Sequence, residues 1–465
     1  MSPQLSQVSL DLGTVRALHA DGLSPGDLIR EVYRRVQAKP DVGVWTALVP
    51  LDAALARAEA LARLGRANLP LYGVPFSVKD NIDVRGLPTT AGCPAFAHLP
   101  EKSATVVRRM EDAGAIMVGK NTMDQFATGL VGIRSPVHPV NSFDAARIPG
   151  GSSSGSAVAV ALGFVSIALG SDTGGSGRVP AALNNIVGFK PTPGKIGMGG
   201  TIHANRSFDC VPILALTCED AASVFDLLAG EDPDDPFLQD DPRTLRGLPG
   251  RDEALTVGVP DPSSLDFDGD QATRAYFEEA LARFGQAGAR IVEVNWAPFR
   301  EAGTMVFGGP LLAERYASIG HFIEDHRTEV DPVVAEIIEA AASYRAVDLL
   351  RAQYRLRALQ AEAEREMQRV DVLIVPTVPT IPTIREVRAD PVVTNGRMGR
   401  FTSFANPLNL CGVAVPSAIR TDGLPFGICL YARKNADTAL LRIATRYQRS
   451  TDLPLGATDI VGARR

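Results

Sequence analysis

The sequence predicts an α/β protein: a single large domain in which a mixed, mostly parallel central sheet is covered by helices on both faces. Three observations carry that expectation. The chain has 465 residues, 45% of them hydrophobic, which is enough for a large buried core. Short apolar runs of strand length alternate with stretches of helical periodicity, the pattern of strands joined by crossover helices. No internal repeat and no separable segment breaks the chain, which favours one domain over residues 1–465. Within it, helices are expected over 1–70, a serine- and glycine-rich core over 71–230, and the remainder of the same domain, with pocket-forming segments, over 231–465.

The elements follow in order. From Ser24 to Arg66, a Ser-Pro-Gly-Asp start and apolar residues recurring at three and four predict two helices, broken near Pro40 to Val42. Pro75 to Lys79 reads as a strand, and the amphipathic helix Ala104 to Ala113 leads into a second apolar run, Ala115 to Gly119. Between Gly150 and Pro193 glycine and serine are dense, yet the runs Ala157 to Val165 and Ile167 to Leu169 belong in a core. That stretch is no flexible linker. The acidic, proline-broken segment Glu231 to Pro242 reads as a solvated surface loop without a function. A polar helix is expected over Val347 to Arg369, then a strand over Val372 to Val375, Pro-Thr repeats to Pro382, a strand over Pro425 to Tyr431 and a helix over Ala436 to Tyr447.

Composition narrows the function. The net charge of -6 comes from 47 basic and 53 acidic side chains spread along the chain, so no basic field exists to hold nucleic acid or an anionic membrane. The expected partner is a small molecule. Cys93, Cys210, Cys218, Cys411 and Cys429 fall at irregular spacings without a C-x-x-C pair, as buried thiols of a reducing compartment do. No His/Cys/carboxylate cluster has metal-ligand spacing, and no cofactor is expected. Met1 to Leu12 lacks the features of a signal peptide, and no apolar run reaches the roughly 20 residues of a transmembrane helix. A cytoplasmic location is expected.

The informative residues are GGSSSGSAVAV from Gly150, SDTGGSGRVPA from Ser171, and a lone lysine in VPFSVKDNID. A phosphate-binding loop needs Lys and Ser/Thr after its last glycine, but Gly155 is followed by Ser156 and Ala157. Gly151 to Gly155 also satisfies G-x-S-x-G, which would make Ser153 a nucleophile if an acid and a histidine followed. His19, His98 and His138 precede it, and His203, His321 and His326 lie in no pattern that marks a base. The second cluster, Thr173-Gly174-Gly175-Ser176, offers more, because glycines let backbone N–H groups converge beside a serine that can attack a carbonyl. Ser176 suits that role best. Without histidine, a lysine desolvated enough to be neutral can act as base, directly or through a second hydroxyl. Lys79 ends an apolar strand, where a lysine alone would read as a snorkelling side chain.

The run from Gly150 to Pro180 resembles the amidase signature. Ser152 and Ser176 stand 24 residues apart, as in that family, and Lys79 occupies the G-V-P-x-x-V-K-D-N motif that starts at Gly73. The resemblance implies a Ser-cisSer-Lys triad in which Ser176 attacks, Ser152 relays its proton and Lys79 is the base. It also implies a cis bond between Gly151 and Ser152, and an oxyanion hole from the N–H groups of Thr173, Gly174, Gly175 and Ser176. Asp172 and Arg178 would brace the loop. DNIDVRGLPTTAGCPAF from Asp80, DQFATGLVG from Asp124, NNIVGFKPT from Asn184, RSFDC from Arg206 and GGPLLAERYA from Gly308 are similar to the amidase domain of allophanate hydrolase.

That likeness implies substrate contacts at Arg315, Phe307, Leu311, Gln125 and Gly129, with Arg315 on a carboxylate or else in a structural salt bridge. A tyrosine and a tryptophan of the likeness are Phe307 and Leu311 here, which argues for a larger or less charged ligand, such as a bulkier carbamate or aryl amide. The readings to be separated are hydrolysis of allophanate, hydrolysis of such bulkier, uncharged substrates (a urethanase), the amidase component of a tRNA-dependent amidotransferase, and a silent scaffold. A homodimer is also compatible with the family.

Overall fold

A computed structural model describes residues 5–238 and 254–458. Eleven strands form one sheet: β1 (Trp45–Leu48), β2 (Pro75–Lys79), β3 (Ile116–Asn121), β4 (Ile167–Leu169), β5 (Val187–Lys190), β6 (Ile213–Ala215), β7 (Thr256–Pro260), β8 (Arg290–Val294), β9 (Val372–Pro376), β10 (Cys411–Ile419) and β11 (Pro425–Ala432). Their order is β1-β3-β2-β4-β6-β5-β10-β11-β9-β7-β8. Parallel pairs flank β2 at one end and β7 at the other. The remaining pairs are antiparallel: β1 on β3 at one edge, and every pair from β4 through to β9 in the middle of the sheet. The sheet is therefore mixed, and the expectation of a mostly parallel one is corrected.

The physical reason is connection length. The helix Thr105–Asp112 separates β2 from β3 and the helix Ser154–Ala161 separates β3 from β4, long enough crossovers for parallel neighbours. β10 and β11 are joined by a short turn at Asp422-Gly423, where Arg420 N–H donates to the Leu424 carbonyl at 2.8 Å, and a hairpin must be antiparallel.

The expected elements lie close to their observed bounds. The helices Pro25–Gln37 and Leu51–Leu64 are separated by β1, a strand the periodicity did not reveal. The later helices are Ala346–Met367 and Asp437–Thr451. The helix Ser154–Ala161 is buried along its whole length, because Gly, Ser and Ala let it press against β3. The segment from Glu231 is less solvated than expected: Asp232 and Asp235 are buried and accept from Gly199 N–H at 3.1 Å and Met198 N–H at 2.9 Å. Residues 239–242 of that segment lie outside the described residues. No helix among the described residues is long and apolar enough to cross a membrane.

A satellite core unites Phe126 with Ile319, Ile323, Val334 and Ile338. It seats the helix Ala313–Asp325, and with it Arg315, against the serine-rich core.

Candidate active site

One strand end and two loops build the site. β2, buried on both faces, delivers Lys79 at its last position. Ser152 sits in the loop before the helix Ser154–Ala161, and the Gly151–Ser152 peptide bond is cis. No side chain fits on Gly151, since a Cβ there would run into Asp124 Oδ2 and Gly132 N. Ser176 lies in the loop between β4 and the helix Arg178–Leu183. Ser153 N–H donates to the Ser176 carbonyl at 3.1 Å and stitches the two loops together. The Ser153 hydroxyl is turned to the Ser171 carbonyl at 3.2 Å.

Lys79 Nζ lies 2.7 Å from Ser152 Oγ, 2.9 Å from Ser171 Oγ and 3.2 Å from the Ser171 carbonyl. Burial pushes its amine down to about 7, against the pull of Asp124, Asp172 and Asp209 and with help from the Arg315 charge. A neutral amine in this place can donate to Ser171 while its lone pair faces the Ser152 hydroxyl. Ser176 Oγ is buried and has no hydrogen-bond partner among the described residues. That suits an oxygen whose partner is an incoming carbonyl carbon.

The loop that carries Ser176 is held by charge. Asp172 accepts from Gly175 N–H and Gly177 N–H, each at 2.9 Å, and from Arg178 Nη2 at 2.8 Å and Nε at 3.0 Å. Burial alone would raise the Asp172 carboxyl, but Arg178 holds it at about 2. Arg178 also donates to the Thr402 carbonyl, the Tyr431 hydroxyl and Asn406 Oδ1. One expectation changes. Gly175 N–H is engaged by Asp172, so of the four N–H groups expected to point at one oxygen, only those of Thr173, Gly174 and Ser176 are not taken up in this way. Gly175 serves by its backbone instead, at a φ of 133° that L side chains rarely adopt, with Thr402 packed where a Cβ would go.

Arg315 is buried above this loop. Its Nη1 donates to Thr128 Oγ1 at 3.0 Å and the Ala127 carbonyl at 3.3 Å, while Nε and Nη2 have no partner among the described residues. No salt bridge absorbs it there either. The Phe307 ring lies 5.2 Å from the guanidinium and also covers Gly174, so Phe307 walls the space between Arg315 and the Thr173–Ser176 loop. Leu311 is buried, and its carbonyl accepts from Asn205 Nδ2 at 2.9 Å. Gln125 commits its side-chain oxygen to Asp331 N–H at 2.7 Å, and Gly129 packs against Asp124 and Arg134. These two shape the segment that anchors Arg315.

Three site residues escaped the reading of the sequence. Ser171 stands inside the run SDTGGSG and supplies two of the three partners of Lys79. Asp124 fixes Gly132 N–H at 2.9 Å and Arg134 N–H at 2.8 Å directly beneath Gly151. Asp209, in RSFDC, is fully buried near Lys79 and Arg315. Each lies within a run that stood out, but nothing local marks its contacts.

Comparison with known proteins gives the family. The amidase family model matches residues 27–441. The urea amidolyase of Saccharomyces cerevisiae is 42% identical over 424 residues, covering 90% of this chain. The chain spans 23% of that protein's length. A glutamyl-tRNA(Gln) amidotransferase component of Thermus thermophilus is 33% identical, with 94% of this chain and 96% of that one covered. Among solved structures, allophanate hydrolase of Kluyveromyces lactis superposes with a TM-score of 0.90 at 35% identity, over 96% of this chain and 73% of that one.

Proposed function

Because the chain belongs to the amidase family, we propose that it is an amidohydrolase of a non-peptide carbon–nitrogen bond, with allophanate as the preferred substrate. The observation that supports the chemistry is the buried Lys79–Ser152 contact of 2.7 Å beside an unpartnered Ser176 hydroxyl. Ser152 passes its proton to neutral Lys79 and takes the proton of Ser176, whose Oγ attacks the carbonyl carbon. The oxygen that becomes negative is received by the N–H groups of Thr173, Gly174 and Ser176. The proton held by Lys79 returns through Ser152 to the departing nitrogen, and water then cleaves the acyl-enzyme by the same relay.

The Arg315 edge supports a carboxylated substrate. A buried guanidinium with two unsatisfied donors is costly, and a carboxylate is the group that fits that fork with two parallel bonds. The K. lactis relative, an allophanate hydrolase, supplies a compound of that kind. Phe307, an aromatic wall without a hydroxyl, favours a second reading in which bulkier carbamates or aryl amides enter. The experiment is ammonia or amine release by wild type and Ser176→Ala on allophanate, aryl amides, carbamates and glutamine. Ser176-dependent release from allophanate is expected. Preference for the uncharged set would instead establish the second reading, and release from glutamine alone would point to the amidotransferase relatives.

A further inference from the structure

Arg315 and Asp209 are both buried, and each feels the charge of the other, yet no hydrogen bond joins them. Arg315 is fixed through Nη1 and offers the Nε–Nη2 edge. Asp209 is fixed through Oδ2, which accepts from Ala204 N–H at 2.8 Å and Asn205 N–H at 3.0 Å, and its Oδ1 has no partner among the described residues. Asn205 repeats the pattern: Nδ2 donates to the Leu311 carbonyl while Oδ1 is buried without a partner. Buried polar atoms in native proteins are almost always paired. Here an edge of two donors and two acceptor oxygens, all held rigidly by their other atoms, are left unpaired together.

Their position ties them to the reaction. Cys210 and Asp172 exchange backbone hydrogen bonds of 2.9 and 3.1 Å, so Asp209 runs alongside the nucleophile loop. The charge of Asp209 also reaches Lys79. A bracing role for Asp209 needs only the oxygen that takes the two N–H groups. The second oxygen is not used in that role: the Thr173 hydroxyl and the Arg315 guanidinium both favour the charge of this carboxylate, and neither closes a hydrogen bond on that oxygen.

The geometry points to Asp209, seconded by Asn205, as a second recognition point that accepts the N–H next to the substrate carboxylate while Arg315 grips the carboxylate itself. The pocket would thereby select an N-carboxylated urea over the analogue with CH2 in place of that N–H. This deepens the reading of the site given above and rests on it. Burial pushes the Asp209 carboxyl up to about 6, so it remains an acceptor at neutral and alkaline pH. A pocket that presents a lone acceptor rejects a ligand lacking the donor, because the acceptor is then buried unpaired.

Binding to the nucleophile-free Ser176→Ala protein tests this without turnover. Calorimetry at mildly alkaline pH compares allophanate with malonamate, which replaces the N–H beside the carboxylate by CH2. Allophanate should bind about tenfold more tightly or better. Adding Asp209→Asn should erase that ratio. The two backbone N–H groups hold the amide oxygen in the place of Oδ2, so the NH2 replaces Oδ1 and turns an acceptor into a donor. Equal affinities in the Ser176→Ala parent would overturn the inference, and so would a ratio that survives Asp209→Asn. Should the double variant not fold, the parent ratio alone decides. If neither compound binds, the carboxylated-substrate reading falls first and takes this inference with it; binding of both with equal affinity removes the role of Asp209 alone.

Discussion

Replacing Lys79 by Met gives a stability measurement that isolates the electrostatic strain at the site. Lys79 is fully buried and its amine is pushed from 10.5 to about 7 by burial. The folded state therefore holds fewer protons than the unfolded state between about pH 7 and 10.5, and stability rises with pH across that window. Below about pH 7 the amine is protonated in both states, and the whole cost of burying its charge is present. Linkage over that shift gives wild type a gain of about 4 kcal/mol between about pH 6 and pH 10, relative to a variant with no amine at the position.

Loss of the contacts to Ser152 and Ser171 costs the variant about 1–3 kcal/mol at every pH, so it offsets the comparison without changing its slope. Asp209, whose charge reaches Lys79, is raised to about 6 and titrates below most of that window, so the slope above about pH 7 belongs to Lys79. Asp220, raised to about 8 by burial, titrates in both proteins. Denaturant unfolding of wild type and Lys79→Met at about pH 6, 8 and 10 provides the measurement. The expected result is a Met variant more stable at the lowest pH, with wild type overtaking it as pH rises. Parallel stability curves would refute a depressed Lys79, and with it a neutral base at physiological pH. The kinetic counterpart is kcat/KM falling about tenfold per pH unit below about 7, with Lys79→Met inactive throughout.

Two further outcomes follow from the charges around the nucleophile loop. Asp172→Asn leaves Arg178 buried without its counter-ion and should destabilise the fold by about 3–5 kcal/mol, read as a lowered thermal midpoint together with lost activity. An unchanged midpoint would show that Thr402, Tyr431 and Asn406 suffice to hold Arg178. Arg315→Ala should raise KM for a carboxylated substrate by about tenfold to a hundredfold while leaving turnover of uncharged amides within a few-fold, a split that steady-state kinetics on the two classes reveals.

What could be read from the sequence depended on whether the cause was local. Apolar runs such as Pro75 to Lys79 and Val372 to Val375 mark strands because both faces are buried, and the structure has β2 and β9 there. β1 stayed hidden. It is a four-residue edge strand, half exposed, without the continuous apolar character of a buried strand or a clear alternation. Pairing direction also stayed hidden in the middle of the sheet, although Asp422-Gly423 between two apolar runs was a hairpin signal in plain view.

The same division holds for the site. Lys79, Ser152 and Ser176 stand in motifs whose spacing singles them out. The engagement of Gly175 by Asp172 depends on how a loop curls, and the company of Asp209 and Arg315 on two segments about a hundred residues apart in the chain. No periodicity encodes either.

The bracing of Arg178 has a bearing on how this protein is made. Ser176 and Asp172 leave the ribosome together, but Thr402, Asn406 and Tyr431 follow more than 220 residues later. A growing chain thus carries Ser176 long before the groups that complete the support of its loop have been translated. Hydrolysis should accordingly appear late in synthesis, and a chain stopped before Thr402 would hold every motif that identifies the enzyme while lacking the means to keep its reactive loop in shape.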